Sequence, residues 1–513
     1  MLICGALPTV PLYMSAIPQL QPESYPIRFG TEQQFSRLCE LLMQVGYVQE
    51  NMEGHFRLRH VGEAEFAVEP HTTEKSAPFA LLAGLFLQGK SVDGGEVQGT
   101  LGQELVDLLG ALGLIEEAGN GRYVATVAMY ATNGLYVVSD RWCGVDGQPF
   151  QPPADVVYPA ILGTTRGFLA TIPSTPCKSF LELCAGTGIA ALLAARCGAE
   201  QAWAVDIAAR SVHFAEFNRR LNGIPNVTNA QGDLYSPAKG RKFERIVAHP
   251  PYVPVLEPKY VFYDGGQDGE QITRRMVQEL PNYLEDKGLF ICVSLGSDRV
   301  DEPFEARIRK WLGEKTNEFD VGLFVRSEME PAVQALNDVI RGRGSVEGVQ
   351  RWKEVLKVLK IVNFVFGGTF IYRHGENRAG LTVRRSAGKN SGLKEIETLM
   401  EWERIVARGQ DVEVLRSARL RTASECRLNA TYVLHEGNWT PEKQRLLIDE
   451  PFKMELEAPG WTLELLAACD GNRTGQELFE SFKAQEVLEP NTSFEQFAEI
   501  LRLLVSGGFA RFV

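Results

Sequence analysis

The sequence predicts an α/β protein whose centre is a doubly wound, mostly parallel sheet flanked by smaller α+β regions. Three observations support this fold class. Short apolar strands alternate with helices from residue 160 to 374. A glycine-containing segment joins the first of these strands directly to a helix. The last two strands, 319–325 and 362–372, follow one another as a late antiparallel pair. Strands separated by helices of this length are typical of parallel crossover units.

The bulk composition is that of an ordinary soluble globular protein of several domains. A chain of 513 residues, with 44% apolar and 23% charged residues, should hold two to four domains. A net charge of −12 offers no general attraction for nucleic acid or an anionic membrane. The nine cysteines form no CxxC pair, which indicates free thiols and a cytoplasmic location. We expect no membrane span, because no window of about 18 apolar residues exists.

Residues 1–30 are expected to be a disordered tail. Five prolines interrupt the segment, and no Lys or Arg precedes its apolar stretch, as a signal peptide would require. Met14 is an alternative natural start.

A winged-helix-like domain is predicted for residues 31–142. Helices are expected over 35–42, 79–87 and 101–114, followed by a strand over 122–129. Gly119, Asn120 and Gly121 would form the turn of its hairpin. Residues 143–159 are rich in Gly, Pro and Asp and are read as a linker.

The central domain is predicted to span residues 160–394. Its expected strands are 180–184, 202–205, 243–248 and 289–295, the last ending at Gly296, and its expected helices are 189–196, 211–221 and 272–284. Residues 395–513 then form an α+β domain, with a winged-helix-like fold as one possibility. Its last three helices are expected over 461–469, 474–482 and 494–504.

The segment Leu181 to Gly188 has the form of a nucleoside-binding loop. Gly186 and Gly188 follow the strand and lack a Cβ, so the backbone can turn and let a ligand approach the helix N-terminus. Asp206 follows 18 residues after Gly188, at the end of the next predicted strand. A carboxylate at that position meets ribose hydroxyls in nucleoside-binding sheets.

Six blocks in order over residues 178–270 resemble class I methyltransferases of the release-factor glutamine methyltransferase type and small ribosomal RNA N-methyltransferase domains. The blocks read ELCAGTGIAAL, AVDI, AEFNRRLNGIPNV, GDLYSP, FERIVAHPPYVP and YDGGQDG. The resemblance implies a Rossmann-like sheet that binds S-adenosylmethionine. It places the methionine end of the cofactor at Glu182, Gly186 and Gly188, the ribose at Asp206, and the adenine edge at Asp233 and Leu234. Cys184, in the same loop, stands where these families usually carry the first glycine.

Structural roles are the alternatives for these residues. Gly186 and Gly188 can simply end a strand, and Asp206 can cap the following helix. The Gly-Asp pair at Asp233 is also ordinary turn chemistry. Asn218 and Asn222 match the resembling families too, and we expect them to hold loops together without touching substrate.

His249, Pro250, Pro251 and Tyr252 follow a predicted strand directly, and the prolines must end it. In the families that this segment resembles, the tetrad begins with Asn or Asp and binds a planar NH2 group. The first side chain and a proline carbonyl accept its N–H groups, and Tyr252 packs on its face. The resemblance therefore gives catalytic roles to His249, Pro250 and Tyr252.

Histidine in the first position of the tetrad leaves the acceptor open. A neutral imidazole still offers one acceptor nitrogen, and it can also take a proton near neutral pH. A degenerate, inactive motif is the structural alternative. Tyr263 to Gly269 matches a glycine-rich loop that could close over the acceptor, or could be plain turns before the next helix.

The predicted function is an S-adenosylmethionine-dependent methyltransferase that N-methylates a protein or peptide side chain. The alternatives are methylation of an RNA or DNA base, methylation of a small molecule with His249 as base, and cofactor binding without catalysis. Residues 341–394 contain twelve Lys and Arg but only three Asp and Glu. This excess of positive charge indicates either an anion-binding face or a solvated helix at 345–360. No histidine spacing indicates a metal site, and the oligomeric state is left open.

Overall fold

The computed structural model describes residues 25–58, 63, 76–256, 260–333, 346–457 and 460–513. Within these ranges the chain forms two compact units. The first contains the residues up to 169 together with 174–288, and the second contains 170–173 and 289–513. The predicted linker at 143–159 falls inside the first unit, and the predicted boundary at residue 394 falls inside the second. The predicted domain limits therefore remain a prediction.

The first unit contains nine described α-helices, which are α1 (Glu32–Gln44), α2 (Gln49–Phe56), α3 (Ala77–Gln88), α4 (Gly94–Leu101), α5 (Gln103–Ala111), α6 (Gly163–Leu169), α7 (Ile189–Arg196), α8 (Ala209–Leu221) and α9 (Gln271–Tyr283). Its described strands are β1 (Val92–Asp93), β2 (Ile115–Glu117), β3 (Arg122–Ala125), β4 (Ala128–Thr132), β5 (Leu135–Ser139), β6 (Cys177–Leu183), β7 (Ala199–Asp206), β8 (Val227–Gln231) and β9 (Phe243–Ala248).

Helices and a small antiparallel sheet alternate between residues 76 and 125. The order is α3, β1, α4, α5, β2 and β3, and the sheet order is β1-β3-β2. The predicted turn is confirmed, since Asn120 and Gly121 both have positive φ between the paired strands β2 and β3. The predicted helix over 101–114 is wrong in its start, because Gly102 (φ 77°, ψ 152°) separates α4 from α5.

The predicted strand over 122–129 is two strands. β3 ends at Ala125, and β4 begins at Ala128 and pairs with β5 as a separate hairpin. Two asparagines bind that hairpin, Asn218 within α8 and Asn222 directly after it. Asn218 exchanges hydrogen bonds with the backbone of Val138, and Asn222 with that of Tyr136. This is the structural role predicted for both side chains.

Most of the predicted tail, residues 1–24, lies outside the described residues. Its end does not fit the prediction of disorder. Tyr25 and Ile27 are buried, and the carbonyl oxygen of Ile27 lies 3.0 Å from Nε2 of His213 on α8. The prediction is wrong from residue 25 onward, because apolar side chains there find a place in the core.

The predicted α/β sheet is confirmed in the first unit as four parallel strands in the order β9-β6-β7-β8. The predicted helices over 189–196, 211–221 and 272–284 correspond to α7, α8 and α9. The sequence patterns missed β8. Only Val227 is buried in that five-residue strand, so its apolar pattern is too weak to detect.

The second unit contains β10 (Leu284–Arg299) from residue 289 on, β11 (Phe319–Met329), β12 (Ile361–Arg373), β13 (Thr382–Ala387), β14 (Arg419–Thr422), β15 (Arg427–His435), β16 (Asn438–Ile448), β17 (Phe452–Glu457), β18 (Asp470–Thr474) and β19 (Ala510–Phe512). Its described α-helices are α10 (Phe304–Trp311), α11 (Val346–Val358), α12 (Leu393–Ala407), α13 (Asp411–Ser417), α14 (Gly460–Ala468), α15 (Gly475–Ala484) and α16 (Phe494–Ser506).

Seven strands of the second unit follow the order β15-β16-β17-β13-β11-β12-β10, and β18-β14-β19 form a separate small sheet. The late antiparallel pair is confirmed as β11 and β12. The predicted end of a strand at Gly296 is wrong, because β10 continues to Arg299. A Cβ at Gly296 would lie 2.2 Å from the Phe304 ring, so this glycine admits an aromatic side chain and does not break the strand.

Part of the local excess of basic residues in 341–394 is matched by carboxylates of the same unit. Arg384 pairs with Asp298 and Glu305, and Arg378 pairs with Asp320, which is buried. These arginines are therefore structural, and they are not available as an anion-binding face. In the described part of the chain, no helix is long and apolar enough to cross a membrane.

Candidate active site

The candidate site lies at the carboxyl edge of the parallel sheet in the first unit. β6 lies between β9 and β7 in the sheet. The chain therefore continues from β6 to β7 on one side of β6 and adds β9 later on the other side. Because all four strands are parallel, the segments after β6, β7, β8 and β9 meet at one edge. Open α/β sheets bind ligands in the crevice at this edge, at the position where the strand order reverses direction.

The loop after β6 turns through left-handed backbone. Cys184, Gly186 and Gly188 have φ values of 55°, 54° and 74°. A Cβ built on Gly186 would meet no described atom within 4 Å, so this glycine borders open space. A Cβ on Gly188 would lie 3.0 Å from Cβ of Ala215 on α8. Gly186 is therefore suited to a close ligand approach, whereas Gly188 is also required for packing against α8.

The Glu182 carboxylate lies beneath this loop. The side chain is buried and accepts hydrogen bonds from the backbone N–H groups of Ala190 (3.3 Å) and Ala191 (2.8 Å) at the start of α7. Burial raises the pKa of Glu182 to about 8, although the two backbone donors act in the opposite direction. A cationic group bound nearby would favour the ionised form.

The Asp206 carboxylate joins the ends of β6 and β7. Its Oδ2 accepts the Gly186 N–H (2.9 Å), and its Oδ1 accepts the Ala208 N–H (2.9 Å). Burial raises the pKa of Asp206, against the effect of these donors. The carboxylate also accepts hydrogen bonds from the Ser211 side chain and the Ile207 backbone, and the residue is partly exposed at the sheet edge.

Asp233 and Leu234 lie in the turn after β8. Oδ2 of Asp233 accepts a hydrogen bond from Arg275 on α9 (2.6 Å), and the Asp233 carbonyl accepts the Ser236 N–H. Leu234 is buried with a φ of 49°. Both the turn alternative and a position near the adenine edge are compatible with this geometry.

His249 is the first residue after β9. Its Nε2 is buried and has no hydrogen-bond partner among the described residues. Burial lowers the pKa of His249 to about 4, so the imidazole is neutral at physiological pH. The carbonyl of Pro250, the next residue, accepts no backbone hydrogen bond within the described ranges. A neutral imidazole nitrogen and a backbone carbonyl can each accept one hydrogen of an NH2 group.

Tyr252 lies beside this pair, with its ring centroid 5.6 Å from that of His249. Its side chain is hydrogen-bonded to that of Thr164 on α6, and burial raises the pKa of its phenol. The glycine-rich loop lies against the tetrad, since Val253 and Gly265 are joined by a backbone hydrogen bond of 2.8 Å.

Sequence reasoning missed the contribution of α6. Phe168 of that helix is buried and stacks on the His249 ring, and Thr164 bonds to Tyr252. Tyr158 and Phe262 form a second stacked pair, with ring centroids 4.8 Å apart. A seven-residue helix is too short to show helical periodicity, so no signal in the sequence marked it. In the described part of the chain, no group of His, Cys, Asp and Glu could hold a metal ion.

Comparisons with known proteins found sequences similar to the segment that contains this site. Residues 162–319 match the family model of the methyltransferase small domain. A ribosomal protein uL3 glutamine methyltransferase of Bradyrhizobium diazoefficiens is 31% identical over 170 residues, which are 30% of this chain and 53% of that protein. A release factor glutamine methyltransferase of Thermodesulfovibrio yellowstonii is 34% identical over 121 residues, 21% of this chain and 43% of that protein. The chain spans about half the length of such curated relatives.

Among solved structures, a ribosomal protein L11 methylase from Lactobacillus delbrueckii subsp. bulgaricus is 20% identical, with a TM-score of 0.25. The match covers 44% of this chain and 90% of that one. A TM-score this low carries no conclusion about the chain. The ordered sequence blocks, the parallel sheet and the family match agree with one another. Residues 162–319 therefore match a methyltransferase small domain, and this part of the chain is similar in sequence to glutamine methyltransferases.

Proposed function

We propose that the protein transfers a methyl group from S-adenosylmethionine to a side-chain nitrogen of a protein or peptide. The observation that carries the proposal is the buried, partnerless Nε2 of His249 at the carboxyl edge of β9. That nitrogen lies at the same sheet edge as the loop of Gly186 and the carboxylate of Asp206. The cofactor, when bound, supplies a methyl group on a positively charged sulfur.

The residues of the loop fit such a cofactor. Open space beside Gly186 admits the ligand to the backbone, and Asp206 lies partly exposed beside this loop, where the ribose hydroxyls would bind. Glu182 supplies a carboxylate whose ionisation a cationic methionine end would favour. Asp233 and Leu234 would lie towards the adenine, and Cys184 would shape the loop through its left-handed backbone.

His249, Pro250 and Tyr252 would hold the acceptor. Nε2 of His249 accepts one N–H and the Pro250 carbonyl accepts the other, while the Tyr252 ring packs against the flat group. The acceptor nitrogen is thereby aligned with the methyl carbon, and alignment of this kind is worth about 7–11 kcal/mol. The bond from the methyl carbon to nitrogen would form as its bond to sulfur breaks, and the methylated nitrogen would then release one proton to solvent. As the nitrogen gains positive charge, both hydrogen bonds would strengthen and lower the barrier.

The neutral imidazole favours an amide or an aromatic amine over an ammonium group. A histidine with a pKa of about 4 is a poor base near neutrality, whereas an ammonium must lose a proton before it can react. A planar NH2 group needs only acceptors. The relatives act on glutamine side chains, as their names state, which supports an amide. The small-molecule alternative with His249 as base has less support.

Residues 76–125 also favour a protein acceptor over a nucleic acid. Their element order supports a winged-helix-like module, which we propose helps to select the substrate. This segment carries six Asp and Glu against two Lys and Arg. Its exposed carboxylates include Glu96 on α4 and Asp107 on α5. A nucleic acid would be repelled by such a surface. No disulfide joins any two of the eight described cysteines, which supports a cytoplasmic location.

The decisive experiment follows the methyl group. The full chain is incubated with radiolabelled S-adenosylmethionine and cell lysate, and the lysate is separated into protein, RNA and small-molecule fractions. We expect label in protein, at an amide or amine nitrogen identified by mass spectrometry, and an initial rate of labelling about 100-fold lower with the His249→Ala variant. Label in RNA would favour the base-methylating alternative, and no formation of S-adenosylhomocysteine would leave only cofactor binding.

A further inference from the structure

Residues 154–162 run up to the start of α6, and we call them the connecting segment. This segment contacts both parts of the chain that lie against the tetrad. It leads directly into α6, which contacts the tetrad through Thr164 and Phe168. Near its start, the Ala154 carbonyl accepts the N–H of Val261 (3.0 Å), just before the glycine-rich loop. The position of the connecting segment therefore affects the surroundings of the tetrad on both sides.

The β4–β5 hairpin holds the connecting segment by hydrogen bonds at two points. Asp140, directly after β5, exchanges two of them with Val157. The Val157 N–H donates to the Asp140 carboxylate (2.7 Å), and the Asp140 N–H donates to the Val157 carbonyl (3.1 Å). The Tyr130 hydroxyl on β4 accepts the Ala160 N–H (2.8 Å). All four residues are buried, so water cannot readily replace these partners.

The hairpin is fixed in turn to α8. Asp140 forms a buried ion pair with Arg210, in which Nε and Nη2 of the guanidinium donate to the two carboxylate oxygens (2.9 and 2.6 Å). Further along α8, Asn218 bonds to the backbone of Val138 on β5. α8 follows β7, whose last residue is Asp206. The hairpin therefore relates the connecting segment to the sheet edge at which the candidate site lies.

We propose that Tyr130 is a positioning residue for the acceptor site. Ala160 is separated from Gly163, where α6 begins, only by Ile161 and Leu162, which are both buried. A shift of Ala160 would therefore pass to α6 and change the contacts of this helix with the tetrad. The Tyr130 hydroxyl opposes such a shift, because without it the buried Ala160 N–H would have no acceptor.

This inference rests on the proposed function, since it concerns the orientation of the side chains that would hold the acceptor. Phe168 stacks on His249, and Thr164 bonds to Tyr252. Tyr130 is fully buried and would act only through these contacts. Its hydroxyl should therefore matter for methyl transfer and not for cofactor binding. A purely structural role would lower stability and leave the rate of the folded protein unchanged.

The test compares Tyr130→Phe with Tyr47→Phe in the full chain. Tyr47 is the matched control, because it is also fully buried and its hydroxyl donates to the carbonyl of Met129 on the same strand β4 (2.8 Å). It forms no hydrogen bond to the connecting segment, which lies wholly within the described ranges. Both changes thus remove one buried hydrogen bond of β4, and only one of them frees the connecting segment.

The first measurement is the initial rate at which label from radiolabelled S-adenosylmethionine enters the protein fraction of a cell lysate. We expect Tyr130→Phe to lower this rate roughly 10- to 100-fold, because a small displacement of the acceptor side chains misaligns the reacting atoms. The affinity for the cofactor in calorimetry should not change. Tyr47→Phe should keep the rate and the affinity of the parent.

Nuclear magnetic resonance of the His249 ring supplies a measurement that does not depend on activity. The imidazole stacks on Phe168, whose ring current shifts the signals of the His249 ring protons, and the spectrum of His249→Asn identifies those signals. Tyr130→Phe should move them towards the positions of an unstacked histidine. Tyr47→Phe should leave them in place.

Three results would overturn the proposal: Tyr130→Phe with the His249 signals of the parent, Tyr130→Phe with the rate of the parent, or Tyr47→Phe with the same changes as Tyr130→Phe. A parent that transfers no methyl group would contradict the proposed function, and the His249 signals would still decide whether Tyr130 positions α6. Thermal unfolding establishes that each variant is folded. If Tyr130→Phe does not fold, Ser139→Ala takes its place with the same expected results, because the Ser139 side chain bonds to the Tyr130 hydroxyl.

Discussion

The imidazole of His249 lies stacked on the ring of Phe168, with ring centroids 5.3 Å apart and an angle of 18° between their planes. The stack fixes the orientation of the imidazole and removes water from one of its faces. Because an imidazolium loses hydration energy there without gaining a counter-ion, the neutral form is favoured. The same contact therefore contributes to the low pKa of His249.

The first prediction concerns the pH profile of His249. Its folded-state pKa of about 4 lies below the ordinary value of 6.5, so the ring should stay neutral from pH 8 down to about pH 5. Turnover should show no limb from His249 near pH 6–7 and should fall only as the pH approaches 4. His249→Asn should keep most of the rate, and His249→Ala should lose about 100-fold. A limb near pH 6–7 that His249→Asn abolishes would contradict this.

The second prediction separates ligand approach from backbone strain. Gly186 and Gly223 both have positive φ, and a Cβ on either would meet no described atom within 4 Å. Valine at either position should therefore cost a similar amount of stability, about 1–2 kcal/mol. Only Gly186→Val should lose cofactor binding in calorimetry. Equal affinity for the two variants would show that the cofactor does not approach Gly186.

The third prediction concerns the hydrogen bond between Thr164 and Tyr252. Tyr252→Phe and Thr164→Val should each reduce turnover by a factor that corresponds to about 0.5–1.5 kcal/mol, with cofactor affinity unchanged. The double variant should be no slower than either single variant, because both remove the same bond. Tyr252→Ala should reduce turnover further, again without loss of cofactor. Additive effects of the two single changes would mean that the hydroxyl groups act independently.

The fourth prediction concerns Glu182 and stability. Its pKa is raised from 4.5 to about 8 in the folded state, so the folded chain holds a proton that the unfolded chain has released. Between pH 4.5 and about 8, this residue should lower the free energy of unfolding as the pH rises, by at most about 1.4 kcal/mol per pH unit. Glu182→Gln should flatten that slope in denaturant titrations. An unchanged slope would indicate that Glu182 is ionised throughout.

The strongest parts of the site could be read from the sequence because their chemistry is local. Glycines after an apolar strand fix the loop at Gly186, and two prolines fix the end of β9 at His249. The contribution of α6 could not be read in this way. Phe168 and Thr164 reach the tetrad only through tertiary packing, and a helix of seven residues has too few positions to show a period.

Errors in the fold prediction also have local causes. Gly296 was expected to end a strand, because a lone glycine gives the same signal whether it breaks the strand or makes room for a ring. Tyr432 and Trp439 have the composition of a core strand, and nothing in the spacing indicates that they lie exposed in a protruding hairpin. The sequence pattern shows which residues are apolar, but the tertiary structure determines which of those side chains are buried.

The bonds from Asn218 and Asn222 to β5 have a consequence for anyone who wishes to isolate the methyltransferase domain. A fragment that began at residue 160 would match the family limits, yet it would remove the backbone groups of Tyr136 and Val138. The Asn218 amide, which is fully buried, would then lose most of its partners, at a cost of about 1–3 kcal/mol for each polar group left unsatisfied. A fragment that keeps these hydrogen bonds must therefore start before β4, because β4 pairs with β5.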